Sequence, residues 1–192
     1  MLEALIEFDK ELFLKLNGFG APFLDSIMVF ISGKTEWIPL YLVLLFLLFK
    51  KYKSKGFYIM FYIVLLIVAS DQISVQLFKN VFERLRPCHD NSLHGLVHLV
   101  NNKCGGRFGF VSSHATNTFA LATFIGLVIQ NKKLLIVLIV WASLVSYSRV
   151  YLGVHYPLDV LGGAILGIAI AFSIKRLMQI INNQFDLKIQ HV

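Results

Sequence analysis

Between residues 37 and 174 the chain carries five apolar stretches with little polar ground between them, and that pattern limits its fold more than any other feature. The stretches run over about 37–49, 57–78, 115–129, 134–151 and 157–174. A segment crossing the bilayer core needs roughly 20 apolar residues and must satisfy its backbone N–H and C=O groups internally, which a helix does. Composition agrees: 57% of the 192 residues are hydrophobic and 15% are charged, against roughly 45–50% and about 25% in soluble domains. The spacing therefore predicts an all-α, polytopic membrane bundle of about five transmembrane helices. No length remains for a separate soluble catalytic domain, so any chemistry has to sit on helix ends and loops.

Ahead of the first span, residues 2–16 set Leu2, Leu5, Ile6, Leu12, Leu14 and Leu16 among Glu and Lys, the pattern of a helix lying on the membrane surface. Asn17, Gly18, Gly20 and Pro22 break it, and a second amphipathic piece, 23–31, is too short to span and stops at Ser32 and Gly33. One domain is expected, with interfacial helices over 1–35, the catalytic bundle over 36–176 and a cytoplasmic tail over 177–192. A sixth span formed by 13–32 is the alternative, and it would reverse the side of the N-terminus. Glu3, Glu7, Asp9 and Glu11 stand where a secretory signal needs a basic start, so no cleaved signal is expected.

Eighteen Lys and Arg against 11 Asp and Glu give a formal charge of +7, which in a soluble protein would suggest nucleic acid. Here Lys50, Lys51, Lys53, Lys55, Lys132, Lys133, Lys175 and Arg176 all fall on one side if the spans alternate, so the excess reads as topology and no nucleic-acid partner is expected. That side should be cytoplasmic. The long loop 79–113 and the turn at Gly153 then face outward.

The unusual polar residues gather on that outward face. Seven positions separate Lys79 from Arg86, about two helical turns, so a helix continued out of the second span puts both on one face until Pro87 ends it. Joined by Arg149, they would clamp an anion with several oxygens, a phosphoryl group above all; cations snorkelling at the membrane border are the plainer reading. His155 and Asp159 are i and i+4, so the carboxylate can hold one ring nitrogen and leave the other free, which is how a histidine becomes a nucleophile or base. Ser112 and Ser113 precede His114 at the start of the third span, where a helix N-terminus binds anions and where serine is equally an ordinary cap. Asp71, Gln72, Ser74 and Gln76, in the outer half of span two, are expected to face the bundle. Arg84, Lys103 and Arg107 read as spare cations for a second phosphate or lipid headgroups. Cys88 and Cys104 share the outward loop and suit a disulfide, with free thiols or a metal site with His89, His94 or His98 as the other readings.

Taken together, the three segments resemble the type 2 phosphatidic acid phosphatase superfamily, with its signature K-x6-R-P, then P-S-G-H, then S-R-x5-H-x3-D. Lys79 to Pro87 matches the first part and Ser148 to Asp159 the third; in the second, Ser112 and His114 match while Val111 and Ser113 replace proline and glycine. The resemblance implies a metal-independent, cofactor-free integral membrane lipid phosphatase. His155 would be the nucleophile, forming a phosphohistidine, Asp159 its orienter, and His114 the acid that protonates the leaving oxygen and later activates water. Lys79, Arg86 and Arg149 would hold the phosphoryl oxygens with the Ser112 hydroxyl and Ser113 N–H. The substrate would be a phosphorylated lipid met from the outer face of the cytoplasmic membrane, with no obligate protein partner. An undecaprenyl diphosphate-type carrier is favoured by the spare cations; phosphatidylglycerophosphate, phosphatidate and lipid A phosphate are the alternatives. A vanadium-type haloperoxidase fits five spans poorly, and a non-catalytic phospholipid-binding or transport protein is the rival of another class.

Overall fold

Two helices rich in small residues set the packing, because small side chains let helix backbones approach where apolar lipid gives no driving force for association. The computed structural model of the chain describes residues 1–185. In chain order it contains α1 (Leu2–Asn17), α2 (Pro22–Ser32), α3 (Ile38–Tyr52), α4 (Gly56–Ile73), a π-helical turn (Ser74–Lys79), α5 (Asn80–Phe82), α6 (Ser113–Ile129), α7 (Lys132–Tyr151) and α8 (Pro157–Gln184). Among the described residues the only strand-like pairing is an isolated antiparallel bridge, Leu85 with Phe108.

α6 and α8 meet most closely. A Cβ at Gly167 would lie 2.3 Å from the Thr116 carbonyl oxygen, and one at Gly163 would lie 2.6 Å from that of Ser112, so only glycine permits this approach. Around the pair, Leu48, Ile59, Leu66, Phe124 and Met178 form one buried cluster, and Leu44, Ile125, Leu138 and Trp141 form a second between α3, α6 and α7.

By length and hydropathy three stretches can cross a membrane, 38–82, 132–151 and 157–184, while α6 is a shorter apolar helix. The 45-residue stretch 38–82 folds back on itself at Lys53, whose φ of 51° breaks the helix. Three contacts show the reversal. Tyr52 at the end of α3 donates to the Val128 carbonyl near the C-terminus of α6 at 2.6 Å, Tyr58 at the start of α4 donates to Met178 of α8 at 3.4 Å, and Ser74 beyond α4 meets Ser113 at the N-terminus of α6 at 2.8 Å. Five helices, α3, α4, α6, α7 and α8, thus make up the bundle. Lys50 to Lys55 and the turn before Lys132 gather at one end, where Lys51 donates to the Ile129 carbonyl; the three motifs lie at the other.

Two features differ from the sequence reading, and a third bears on its alternative. α8 runs on to Gln184 with Met178 fully buried, so helix fills much of the expected tail; the rest of that tail, 186–192, lies outside the described residues. α1 and α2 meet at 114°, so 13–32 is no straight crossing. α1 is also more than a surface helix: it exposes Leu2, Leu5 and Phe8 but buries Asp9, Phe13 and Asn17, a stripe at i, i+4 and i+8, against the turn between α7 and α8.

Candidate functional site

The turn from α7 to α8 builds the centre of the site. α7 ends at Tyr151, and Gly153 takes a φ of 79°, where a side chain would also strike the His98 carbonyl at 2.8 Å. Asn17 locks this turn from α1: its amide donates to the carbonyls of Tyr151 at 2.7 Å, His98 at 3.0 Å and Val150 at 3.2 Å, and accepts from the His98 N–H at 2.7 Å. Tyr156 then caps α8, with Asp159 accepting its N–H at 3.0 Å in a reciprocal capping box. The same Asp159 oxygen, Oδ2, lies 3.3 Å from His155 Nδ1, so the pair inferred from i and i+4 spacing is formed. Both residues are buried, and Nε2 is the ring nitrogen that Asp159 does not engage. Burial, reinforced by Arg86, Arg149 and Lys79, pushes the His155 imidazole well below its usual pKa, so its neutral form prevails at physiological pH.

Three cations surround that ring, each on a different element. Lys79 ends the π-helical turn, a register change that frequently marks functional sites; its ammonium donates to Ser113 Oγ at 2.8 Å, and Ser113 in turn meets Ser74. The serine that replaces the signature's glycine therefore holds the first-motif lysine. Arg86 does not share a helical face with Lys79 as expected: the helix stops at Phe82 because Glu83 turns left-handed. Arg86 comes instead from extended backbone pinned beside Arg107, its side chain donating to the carbonyls of Cys104 at 2.8 Å and Phe108 at 3.2 Å. A disulfide joins Cys88 and Cys104, whose Cα atoms are 5.9 Å apart, and so fixes the loop that supplies those carbonyls. Arg149, in the last turn of α7, donates to Ser32 at the end of α2, while its Nε makes no hydrogen bond within the protein.

At the N-terminus of α6, Ser112 is the cap. Its N–H donates to the Asp159 carbonyl at 2.9 Å, and its buried hydroxyl has no protein partner. Ser113 opens the helix, where the first N–H groups have no intrahelical acceptor. Val111, in place of the signature's proline, is buried and packs on Gly162. His114 follows in the electrostatic reach of Arg149, Lys34, His155 and Lys79. It also lines a cavity of about 450 Å³ between α3, α4, α6 and α7, which is apolar along Trp37, Tyr41, Leu44 and Ile63 and polar at Lys34, Asp71 and His114.

All eight expected site residues thus converge, and the spare cations sort differently. Arg84 is not spare: it bonds Asp9 at 2.6 Å and Asp159 at 2.9 Å. Of the four polar residues at the end of span two, Asp71 and Ser74 face the bundle, whereas Gln72 and Gln76 are exposed. Sequence reasoning missed Ser32 and Lys34, which carry no pattern of their own, and Asp9 and Asn17, which the spacing to Phe13 signals.

The family model described as the PAP2 superfamily matches residues 58–183. A lipid A 4′-phosphatase of Bacteroides thetaiotaomicron is 39% identical over 169 residues, covering 87% of this chain and 75% of that protein. An undecaprenyl-diphosphatase of Sulfolobus acidocaldarius is 34% identical over 173 residues, covering 88% of this chain and 78% of that protein. Among solved structures, a transmembrane PAP2-type phosphatidylglycerolphosphate phosphatase from Bacillus subtilis superposes with a TM-score of 0.68 at 28% identity, over 97% of this chain and 88% of that one.

Proposed function

The chain belongs to the PAP2 superfamily and is an integral membrane lipid phosphatase, and from that premise we propose that it removes a phosphomonoester from a lipid A-type glycolipid through a phosphohistidine at His155. The observation that carries this reading is the buried His155–Asp159 pair set among Lys79, Arg86 and Arg149 beside an apolar cavity. The cavity takes part of the lipid tail while the cations neutralise the phosphoryl oxygens, whose charge rises in the transition state.

In the first step the His155 Nε2 lone pair attacks phosphorus, the P–O bond to the lipid breaks, and His114 gives the leaving oxygen its proton. In the second, water attacks the phosphohistidine, its proton passes to His114, and the P–N bond breaks to release orthophosphate. Asp159 keeps Nδ1 protonated and supports the positive ring of the intermediate. Lys79, Arg86, Arg149, the Ser112 hydroxyl and the Ser113 N–H bind the transferring group.

The monoester is placed ahead of the prenyl diphosphate because Arg84, one of the cations that would have read a second phosphate, is already held by two buried carboxylates. The likeness to lipid A 4′-phosphatases points the same way. The diphosphate reading retains one specific support, Lys34, which lines the cavity beside His114. We place the site on the extracytoplasmic face, since basic residues cluster at the opposite end and a disulfide stands beside the site.

The test is phosphate release by detergent-purified protein, with chelator, from lipid A, prenyl diphosphate, phosphatidylglycerophosphate, phosphatidate and a soluble ester. Metal-independent release, lost by about a thousandfold or more in His155→Ala, and an acid-labile, alkali-stable phosphoenzyme support the reading. Fastest release from a prenyl diphosphate would overturn the monoester assignment. Equal residual release from wild type and His155→Ala would overturn the mechanism.

A further inference from the structure

Asp159 is held from two sides, and only one of them belongs to the phosphatase signature. Its Oδ2 serves His155 and the Tyr156 N–H, while its Oδ1 accepts from Arg84 Nη1 at 2.9 Å. The other arm of that guanidinium, Nη2, bonds Asp9 at 2.6 Å, and its face lies 4.3 Å from the Tyr156 ring centroid. Asp9 is fully buried although it belongs to the first helix of the chain, and its second oxygen accepts the Leu158 N–H at 3.0 Å. One cation is thus shared by two buried carboxylates from opposite ends of the sequence.

We propose that Arg84 and Asp9 are positioning residues that act on the His155 nucleophile through Asp159, an inference that rests on the catalytic reading above. Two carboxylates this close repel unless a cation stands between them, and a guanidinium fork can serve both at once. With Oδ1 fixed by Arg84, the Asp159 carboxylate cannot rotate, so Oδ2 stays on His155 Nδ1 and the ring keeps the tautomer that bares Nε2. Asp9 keeps Arg84 in this place and away from the phosphoryl site, where a further cation would bind product as well as substrate. The trio bears a net negative charge, which favours the positive ring formed when His155 attacks.

The test compares Arg84→Gln, Arg84→Lys, Asp9→Asn and the Arg84→Gln/Asp9→Asn double variant with wild type on the best lipid substrate. Steady-state kcat and KM are read together with apparent Tm. Arg84→Gln and Asp9→Asn are each expected to lose about tenfold to a hundredfold in kcat with KM within about twofold, the scale of a misplaced reacting group. Arg84→Lys should recover part of the loss, and Asp9→Asn should add little in the Arg84→Gln background because the two act as one chain. The double variant carries no unpaired buried carboxylate from the Arg84–Asp9 pair, so it guards against a simple failure to fold. Wild-type kcat in a folded double variant would overturn the proposal, as would a raised KM at unchanged kcat, which would mean that Arg84 touches substrate. A wild-type protein without turnover, or a His155→Ala variant that retains it, would instead count against the catalytic reading.

Discussion

Replacing Asn17 with alanine should be among the costliest single changes outside the catalytic groups. Its side chain fills a buried slot, where two amide hydrogens serve the carbonyls of Tyr151, His98 and Val150 and its oxygen takes the His98 N–H. The Val150 carbonyl keeps the Gly153 N–H as a partner after the change. The Tyr151 carbonyl loses a 2.7 Å bond, and the part-buried His98 loses both its N–H bond at 2.7 Å and its carbonyl bond at 3.0 Å. At about 2 kcal/mol for the buried carbonyl left unpaired and about 1 kcal/mol for each part-buried group, the loss is about 4 kcal/mol. For a chain of this size that corresponds to a fall in Tm of about 8–16 °C. Asn17→Asp should be no milder, because it turns the donor toward three carbonyls into an acceptor. Thermal unfolding in detergent, followed by the emission of Trp37 and Trp141, reads both variants. A fall under about 2 °C in each would refute the reasoning and show that water replaces the amide without penalty.

Three further changes probe the surroundings of the site. Burial works against the charge of Asp90, but Ser92, Tyr156 and Lys10 outweigh it and hold its pKa at about 2; stability from this group is present above the unfolded value near 3.8 and is lost as pH falls from about 4 to 2. Asp90→Asn should therefore lower Tm at pH 6 and have little effect at pH 2, as a pH series of melts would show. The Cys88→Ser/Cys104→Ser variant should lose about 3 kcal/mol of stability and raise KM, because the loop carbonyl that steadies Arg86 is freed; melts and lipid titrations would check both. Ser113→Ala removes the acceptor that holds the Lys79 ammonium, so KM should rise about three- to tenfold with kcat nearly unchanged, and an unaltered KM would show that Lys79 needs no such tether.

How far the sequence could be read depends on the range of the interactions concerned. The bundle was legible because burial in lipid writes itself into long apolar runs, and the His155–Asp159 pair because i and i+4 spacing is a local rule. The reach of Arg86 was not, since extending the helix past Phe82 was reasonable until the left-handed turn at Glu83 and the Leu85–Phe108 bridge became visible. Arg84 looked like a spare cation because its partners lie 75 residues away in each direction. Gln72 and Gln76, i and i+4, share an exposed helix face, whereas the cost of polar groups at membrane depth points all four polar residues inward.

The bond from the Leu158 N–H to Asp9 joins residues 149 positions apart, and this sets an order of assembly. As the chain is synthesised, α1 is made long before α8, so Asp9 exists before the Leu158 N–H that it accepts in the fold. Arg84 becomes available to the Asp9 carboxylate first and the Leu158 N–H last, in the order in which the chain is made. The long-range contacts around the nucleophile are thus the last to close, and a nascent or truncated chain lacking α8 holds the phosphate-binding cations without the pair that would use them.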